Sequence, residues 1–282
     1  MADKDRTDPA AIVAAYDARA QRFETPCGDG MMVWRRWGSG PPVLLAHGSH
    51  GAWSHWIANI DALAATRTVW APDLPGFGES AMPPVEGHDG ISAALADGLR
   101  AVAGDAVPMD VVGFSFGGVA LAWFAAAHPE LVRRLILVGT GGLATPQGEI
   151  SLGRVRGLEG AEREAAGRAN LLGLMIHHPE SVDALALYLQ ELNGFRGRLR
   201  ASSLVLPDRL LAALPRVGAQ VDAIWAEHDR PHPDPAVQEA ALRSVRPDVD
   251  FRVVADAGHW VMYERAEAFN AVLLAMLDTP LR

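Results

Sequence analysis

The 282-residue chain has a single cysteine, Cys27, so no internal disulfide can form and a reducing, cytoplasmic setting is the expectation. It has no apolar run approaching the ~18 residues that suggest a membrane span. The nearest stretch, "VVGFSFGGVALAWFAAA", is broken by glycines and by Ser115. The opening "MADKDRTDPA" is polar and lacks the apolar centre of a secretion signal. No basic run is longer than Arg35-Arg36 or Arg133-Arg134, and 34 acidic against 25 basic residues give a formal charge of −9. That balance argues against a nucleic-acid or anionic-membrane footprint. Sequence repeats, low-complexity tracts and Gly/Ser linkers are missing too. The expected partner is a small-molecule substrate, with no nucleic acid and no membrane, and homodimer formation is left open.

What the chain does have is apolar mass, with 49% hydrophobic and 21% charged residues, enough for one large domain with an insertion. Short β-branched runs at 43–46, 68–71, 109–113, 135–139, 221–226 and 251–255 each end near Gly, Pro, Asp or His. Between most of them lie Ala- and Leu-rich stretches with helical spacing, such as 57–65, 91–103 and 116–127. Strands that are apolar at nearly every position and alternate with helices imply a sheet covered on both faces. The fold class is therefore α/β, a doubly wound and mostly parallel sheet. Ahead of it, "DGMMVWRRWGSGPP" alternates apolar and polar residues, as an edge hairpin with one wetted side does. From 144 to 215 no strand pattern occurs, but helical stretches do, at 160–175, 179–192 and 207–214. The expected organisation is a core of 1–143 and 216–282 with a helical cap, 144–215, roofing the carboxyl ends of the strands.

Gly113-Phe114-Ser115-Phe116-Gly117 fits G-x-S-x-G between an expected strand and an expected helix, a turn that lifts the Ser115 hydroxyl above the sheet. A serine hydroxyl is a weak nucleophile and needs a base, itself held by a third group. His259, in "ADAGHWVMYE" after the last strand, is the candidate base. Asp229, in a Pro-rich loop after the preceding strand, is the candidate acid, with Glu227 its nearest rival and Asp256 a poorer one, too close in sequence to His259. "HGSHG", His47 to Gly51, follows a strand, and its glycines let backbone N–H groups point at an oxyanion. The favoured donors are the amides of Ser49 and Phe116, while His47 braces the loop. A zinc reading of His47 with His50, or of His228 with His232, finds no third ligand, and Pro231 and Pro233 keep the second pair off a single helix face. No metal and no cofactor is expected.

From about Gly30 onward the chain resembles the α/β-hydrolase superfamily in five ordered motifs. "HGSHG" is similar to its oxyanion loop, "DLPGFGES" to its D-x-x-G-x-G-x-S segment, "GFSFGG" to its nucleophile elbow, "WAEHD" to its acid loop and "AGHW" to its histidine loop. The resemblance implies a structural role for Asp73, Gly76, Gly78 and Ser80, and a serine branch rather than the branches with a carboxylate nucleophile. His259-Trp260 also resembles the meta-cleavage product hydrolases, which cut a carbon–carbon bond in dienoic diketone acids. "HGSHGAW" and Phe114 depart from that subgroup's longer Gly-Pro-Gly oxyanion loop and its Asn before the nucleophile. In that subgroup a cap arginine holds the substrate carboxylate, and "FRGRLR" offers Arg196, Arg198 and Arg200.

The mechanism implied is acyl transfer through an acyl-enzyme on Ser115, in a pocket expected to be lined by His50, Trp53, Phe114, Arg196 and Trp260 and made apolar and aromatic also by Trp56 and Phe116. A carboxylic ester is the favoured substrate and carbon–carbon hydrolysis the alternative. A non-catalytic binding protein on the same fold is the reading from another class.

Overall fold

A computed structural model describes residues 8–282, the side chain of residue 105 excepted. Eight strands form one sheet: β1 (Gln21–Cys27), β2 (Gly30–Trp37), β3 (Pro42–Ala46), β4 (Thr68–Pro72), β5 (Met109–Phe114), β6 (Val132–Val138), β7 (Gln220–Ala226) and β8 (Asp250–Val254). Their order is β1-β2-β4-β3-β5-β6-β7-β8. β2 runs antiparallel to both of its neighbours, and every pair from β4 to β8 is parallel. All six strands read from apolar runs are present.

The sheet is doubly wound because its strands offer apolar side chains to both sides. Leu44, Val111, Leu135 and Val221 pack on one face with the helices His88–Ala103 and Phe116–Ala127. Leu45, Val112, Ile136 and Ile224 pack on the other with the helices Ile60–Ala64 and Ala266–Asp278. Successive residues of a strand point to opposite faces, so a strand buried on both has no polar period.

"MMVWRRW" forms β2 of the hairpin β1–β2 at one edge of the sheet, but its expected wetted side is covered. β2 pairs on both sides, and its residues Val33, Trp34 and Arg35 are buried. The outermost strand on this side is β1, which carries no apolar run of its own. Arg35 is tolerated inside because its guanidinium meets Asp17 (2.5 Å), Glu79 (2.8 Å) and Asp73 (3.4 Å), and a buried charge survives only with such partners.

The chain leaves β3 toward β4 on one side and reaches β5 on the other, so the strand order reverses at the β3–β5 crevice. A crevice of this kind, at the carboxyl ends of the strands, is where open α/β sheets bind ligands. Ala46 pairs with Gly113, Phe114 with Val138, and Val138 with Ile224, which brings the loops after β3, β5, β6 and β7 to the same end of the sheet. Between Val138 and Gln220 the described residues contain helices and no strand, chiefly Gly160–Leu174, Ala184–Arg196 and Arg209–Ala213. The last of these buries Leu210 and Ala213 in the core cluster of the helix Phe116–Ala127.

Candidate active site

Ser115 stands between β5 and the helix Phe116–Ala127 with φ 51°, a left-handed conformation that a non-glycine residue adopts at a cost. The flanking glycines make that turn possible for steric reasons. A Cβ on Gly113 would lie 2.5 Å from the Cα of Gly118, and one on Gly117 would lie 2.5 Å from the carbonyl oxygen of His47. The turn is pinned by the Ser115 N–H, which donates to the Val138 carbonyl at 2.8 Å. Ser115 is half-buried and its side chain makes no capping bond to its own helix.

His259 and Asp229 are joined directly: His259 Nδ1 lies 2.8 Å from Asp229 Oδ2, and both residues are buried. The ring of Phe114, the residue before Ser115, packs on His259 with centroids 4.8 Å apart. Of the three carboxylates weighed from the sequence, Asp229 is the one bonded to His259. Glu227 is exposed and accepts the Asp256 N–H at 2.8 Å, while Asp256 is held by His178 and Arg265.

A second histidine, His232, sits on the Asp229 carboxylate, a contact not assigned from the sequence. Its ring Nδ1 lies 3.1 Å from Asp229 Oδ1, and its backbone N–H donates to the same oxygen at 3.0 Å. The signal for it was the three-residue spacing from Asp229, within reach of a side-chain turn, in a segment constrained by Pro231 and Pro233. Burial alone would raise the Asp229 carboxyl, but the His259 charge and the hydrogen bonds from His232 and His259 overcome it and hold the group down at about 2.

After β3, His47 is buried and accepts the Leu74 N–H at Nε2 (2.9 Å). That fixes its tautomer, because the proton must then sit on Nδ1, which donates to the Gly48 carbonyl at 2.7 Å. The bracing role expected of His47 is therefore a tie between the β3 loop and the segment after β4. Asp73 anchors that segment: its Oδ1 accepts the Trp53 N–H and its Oδ2 the Glu79 N–H. Gly48 packs against Phe114 and Ser115. The amides of Ser49 and of Phe116, first residue of its helix, donate to no acceptor among the described residues. A helix N-terminus leaves such a donor unused and adds a favourable field for an anion.

The residues expected to line the pocket have differing surroundings. Trp53 is buried against Trp37 and the Arg35 guanidinium. Trp260 is buried too, stacked on Tyr263 and donating its indole N–H to the His55 carbonyl at 3.0 Å. Large aromatics release most free energy when fully desolvated, and these two, like Trp56, do so in the core. Arg196 is an exposed residue 3.6 Å from Glu79, Arg198 donates to the Ser80 carbonyl, and Arg200 is exposed. Phe114 is buried with its ring against that of His259. His50 is exposed, at φ 52°, and faces Gly197, just past the helix Ala184–Arg196. A hollow of about 380 Å³ opens beside Asp229 and His259, lined also by Glu149, Leu174, Ile176, His177, His228 and Arg230.

His55, like His47, is buried. Burial holds His47 below the ordinary imidazole value and drives His55 well below it. His88, half-buried and stacked on Trp123 at 4.7 Å, is lowered to about 4, first by burial and then by Arg209. Groups whose native values lie below the unfolded ~6.5 are proton-poor in the native state. The unfolded chain thus binds more protons once the pH falls below ~6.5, and stability drops from there toward the native values while staying level above. We expect the urea midpoint to be lower at pH 5 than at pH 7.5, with a shallower fall in His55→Gln. Equal midpoints at the two pH values would contradict these neutral histidines.

Residues 43–272 match the model of the family described as "Alpha/beta hydrolase family". The chain belongs to the alpha/beta hydrolase family. It is 31% identical over 265 residues to the "dihydrolipoyllysine-residue acetyltransferase component of acetoin cleaving system" of Pseudomonas putida, covering 89% of this chain and 67% of that one. It is 29% identical over 267 residues to a 2-hydroxy-6-oxo-6-phenylhexa-2,4-dienoate hydrolase of Burkholderia cepacia, covering 85% and 88%. A thermophilic esterase from Thermogutta terrifontis superposes with a TM-score of 0.72 at 23% identity, covering 92% of this chain and 98% of that one, a likeness of fold. No helix among the described residues is long and apolar enough to cross a membrane.

Proposed function

We propose that this alpha/beta hydrolase is a cofactor-independent serine hydrolase of small, largely apolar carboxylic esters. The observation that carries the reading is the buried Asp229–His259 pair, 2.8 Å apart, next to a strained elbow that presents Ser115. His259, oriented by Asp229, takes the Ser115 proton as the oxygen attacks the ester carbonyl, and the amides of Ser49 and Phe116 receive the oxyanion. The alcohol leaves with that proton. Water, activated by the same His259, then attacks the acyl-enzyme and releases the acid.

Carbon–carbon hydrolysis is the second reading, favoured by the likeness to the Burkholderia cepacia hydrolase. It needs a cation to fix a substrate carboxylate, a task suited to the planar arginine fork. The cap arginines are engaged elsewhere, Arg196 beside Glu79 and Arg198 on Ser80, which supports the ester.

A panel of p-nitrophenyl esters of graded acyl length, run beside one dienoic diketone acid, tests the choice. Esters should be turned over, and replacing Arg196, Arg198 or Arg200 by Gln should change kcat/KM for them by less than about tenfold, the scale of a lost exposed contact. A diketone acid cleaved faster than every ester, with one of those substitutions raising its KM about a hundredfold, would move the assignment to the carbon–carbon class. Failure of a fluorophosphonate to label Ser115 would favour a non-catalytic binding protein.

A further inference from the structure

Three residues far apart in sequence turn ligand atoms toward one another at the seam between cap and core. The nearest ligand atoms of His177, His228 and Asp256 all lie within 4.8 Å of each other, and all three residues are exposed. The two imidazoles stack with centroids 3.9 Å apart. His177 follows the cap helix Gly160–Leu174, His228 precedes Asp229 in the loop after β7, and Asp256 lies three residues before His259 in the loop after β8. His177 and His228 also line the hollow beside His259.

The surroundings hold these groups in place. Glu264 accepts the backbone N–H groups of His177 and His178 at 3.0 and 2.7 Å and that of Gly258 at 2.7 Å, which ties the cap turn to the histidine loop. The Asp256 N–H donates to Glu227, and its carboxylate meets His178 at Oδ1 (2.7 Å) and Arg265 at Oδ2. A carboxylate has about four lone-pair directions, so these contacts leave room for a metal bond, and ligating carboxylates are commonly hydrogen-bonded in this way. Two imidazoles and one carboxylate, with positions left for water, make a donor set that suits zinc and its neighbours among divalent transition metals.

We propose that His177, His228 and Asp256 bind a zinc-type divalent cation that staples the cap to the two loops carrying Asp229 and His259. The pairing of His228 with His232 considered from the sequence fails because His232 turns inward to Asp229. The missing ligands come instead from the cap and from the loop after β8. Because the site lies outside the Ser115 machinery, it stands or falls independently of the proposed ester chemistry.

A rival exists in the buried trio Asp229, His232 and His259, whose ligand atoms also lie within 4.8 Å of one another. Titration of the chelator-treated full-length protein with ZnCl2, followed by calorimetry and by thermal melting, separates the two. The expected result is one zinc per chain and a rise in Tm of about 5 °C at a hundredfold excess over Kd. His177→Ala combined with His228→Ala should abolish both signals, and Asp256→Asn should weaken binding at least tenfold, whereas His259→Ala should retain both signals. Zinc binding that persists in the double variant, disappears in His259→Ala, or is absent from the wild type overturns the proposal.

Discussion

Ser115→Ala is expected to lower kcat by on the order of 10⁴ or more while leaving the fold and its stability unchanged, because the proposed mechanism needs the hydroxyl and the Ser115 side chain caps nothing. The turn is what leaves the stability unchanged. The Ser115 side chain makes no capping bond, and its φ of 51° burdens Ala as it burdens Ser. The hydroxyl can therefore be removed without loosening the helix behind it. Ser115→Gly, which also lacks the hydroxyl, should be equally inactive yet gain roughly 1 kcal/mol, since glycine adopts φ > 0 without strain. Rates on the best p-nitrophenyl ester, with urea unfolding of all three proteins, check both halves. Retention of a tenth of the wild-type rate by Ser115→Ala would remove Ser115 from the mechanism.

The parts of this site that depend on local sequence were legible, and those that depend on packing were not. The elbow is local, since Gly113 and Gly117 answer clashes within one turn and with the strand beside it. The core strands were legible because burial on both faces leaves unbroken apolar runs, as in β5, where all six residues are buried. β1 and the helix Pro9–Arg19 gave no such signal. That helix fully buries none of its residues, and "QRFETPC" carries a proline and only two buried positions. Trp53 and Trp260 illustrate a different limit. An apolar ring is driven out of water by a core as much as by a pocket, so composition does not say which. His232 shows a third, because its place on Asp229 depends on the path of a loop held by Pro231 and Pro233. His177, His228 and Asp256 meet only because the turn after the helix Gly160–Leu174 is tied by Glu264 to the loop after β8.

The second large effect expected is at the acid, and His232 determines its form. Asp229 accepts three hydrogen bonds, from His259 at Oδ2 and from the ring and backbone N–H of His232 at Oδ1. In Asp229→Asn one of the two oxygens becomes an NH2 group. The backbone N–H of His232 can only donate, so the amide keeps its oxygen there and turns its NH2 toward His259. Nδ1 of His259 must then accept, which moves its proton to Nε2, the nitrogen required to take the proton from Ser115. The base is blocked by its own tautomer, and a loss of about 10³ to 10⁴ in kcat is expected. Glu227→Gln should cost less than about tenfold, because Glu227 reaches the backbone of Asp256 rather than the imidazole of His259. Single-turnover rates on the best ester for both variants decide the matter. A larger loss at Glu227 than at Asp229 would reassign the acid and undo the tautomer argument with it.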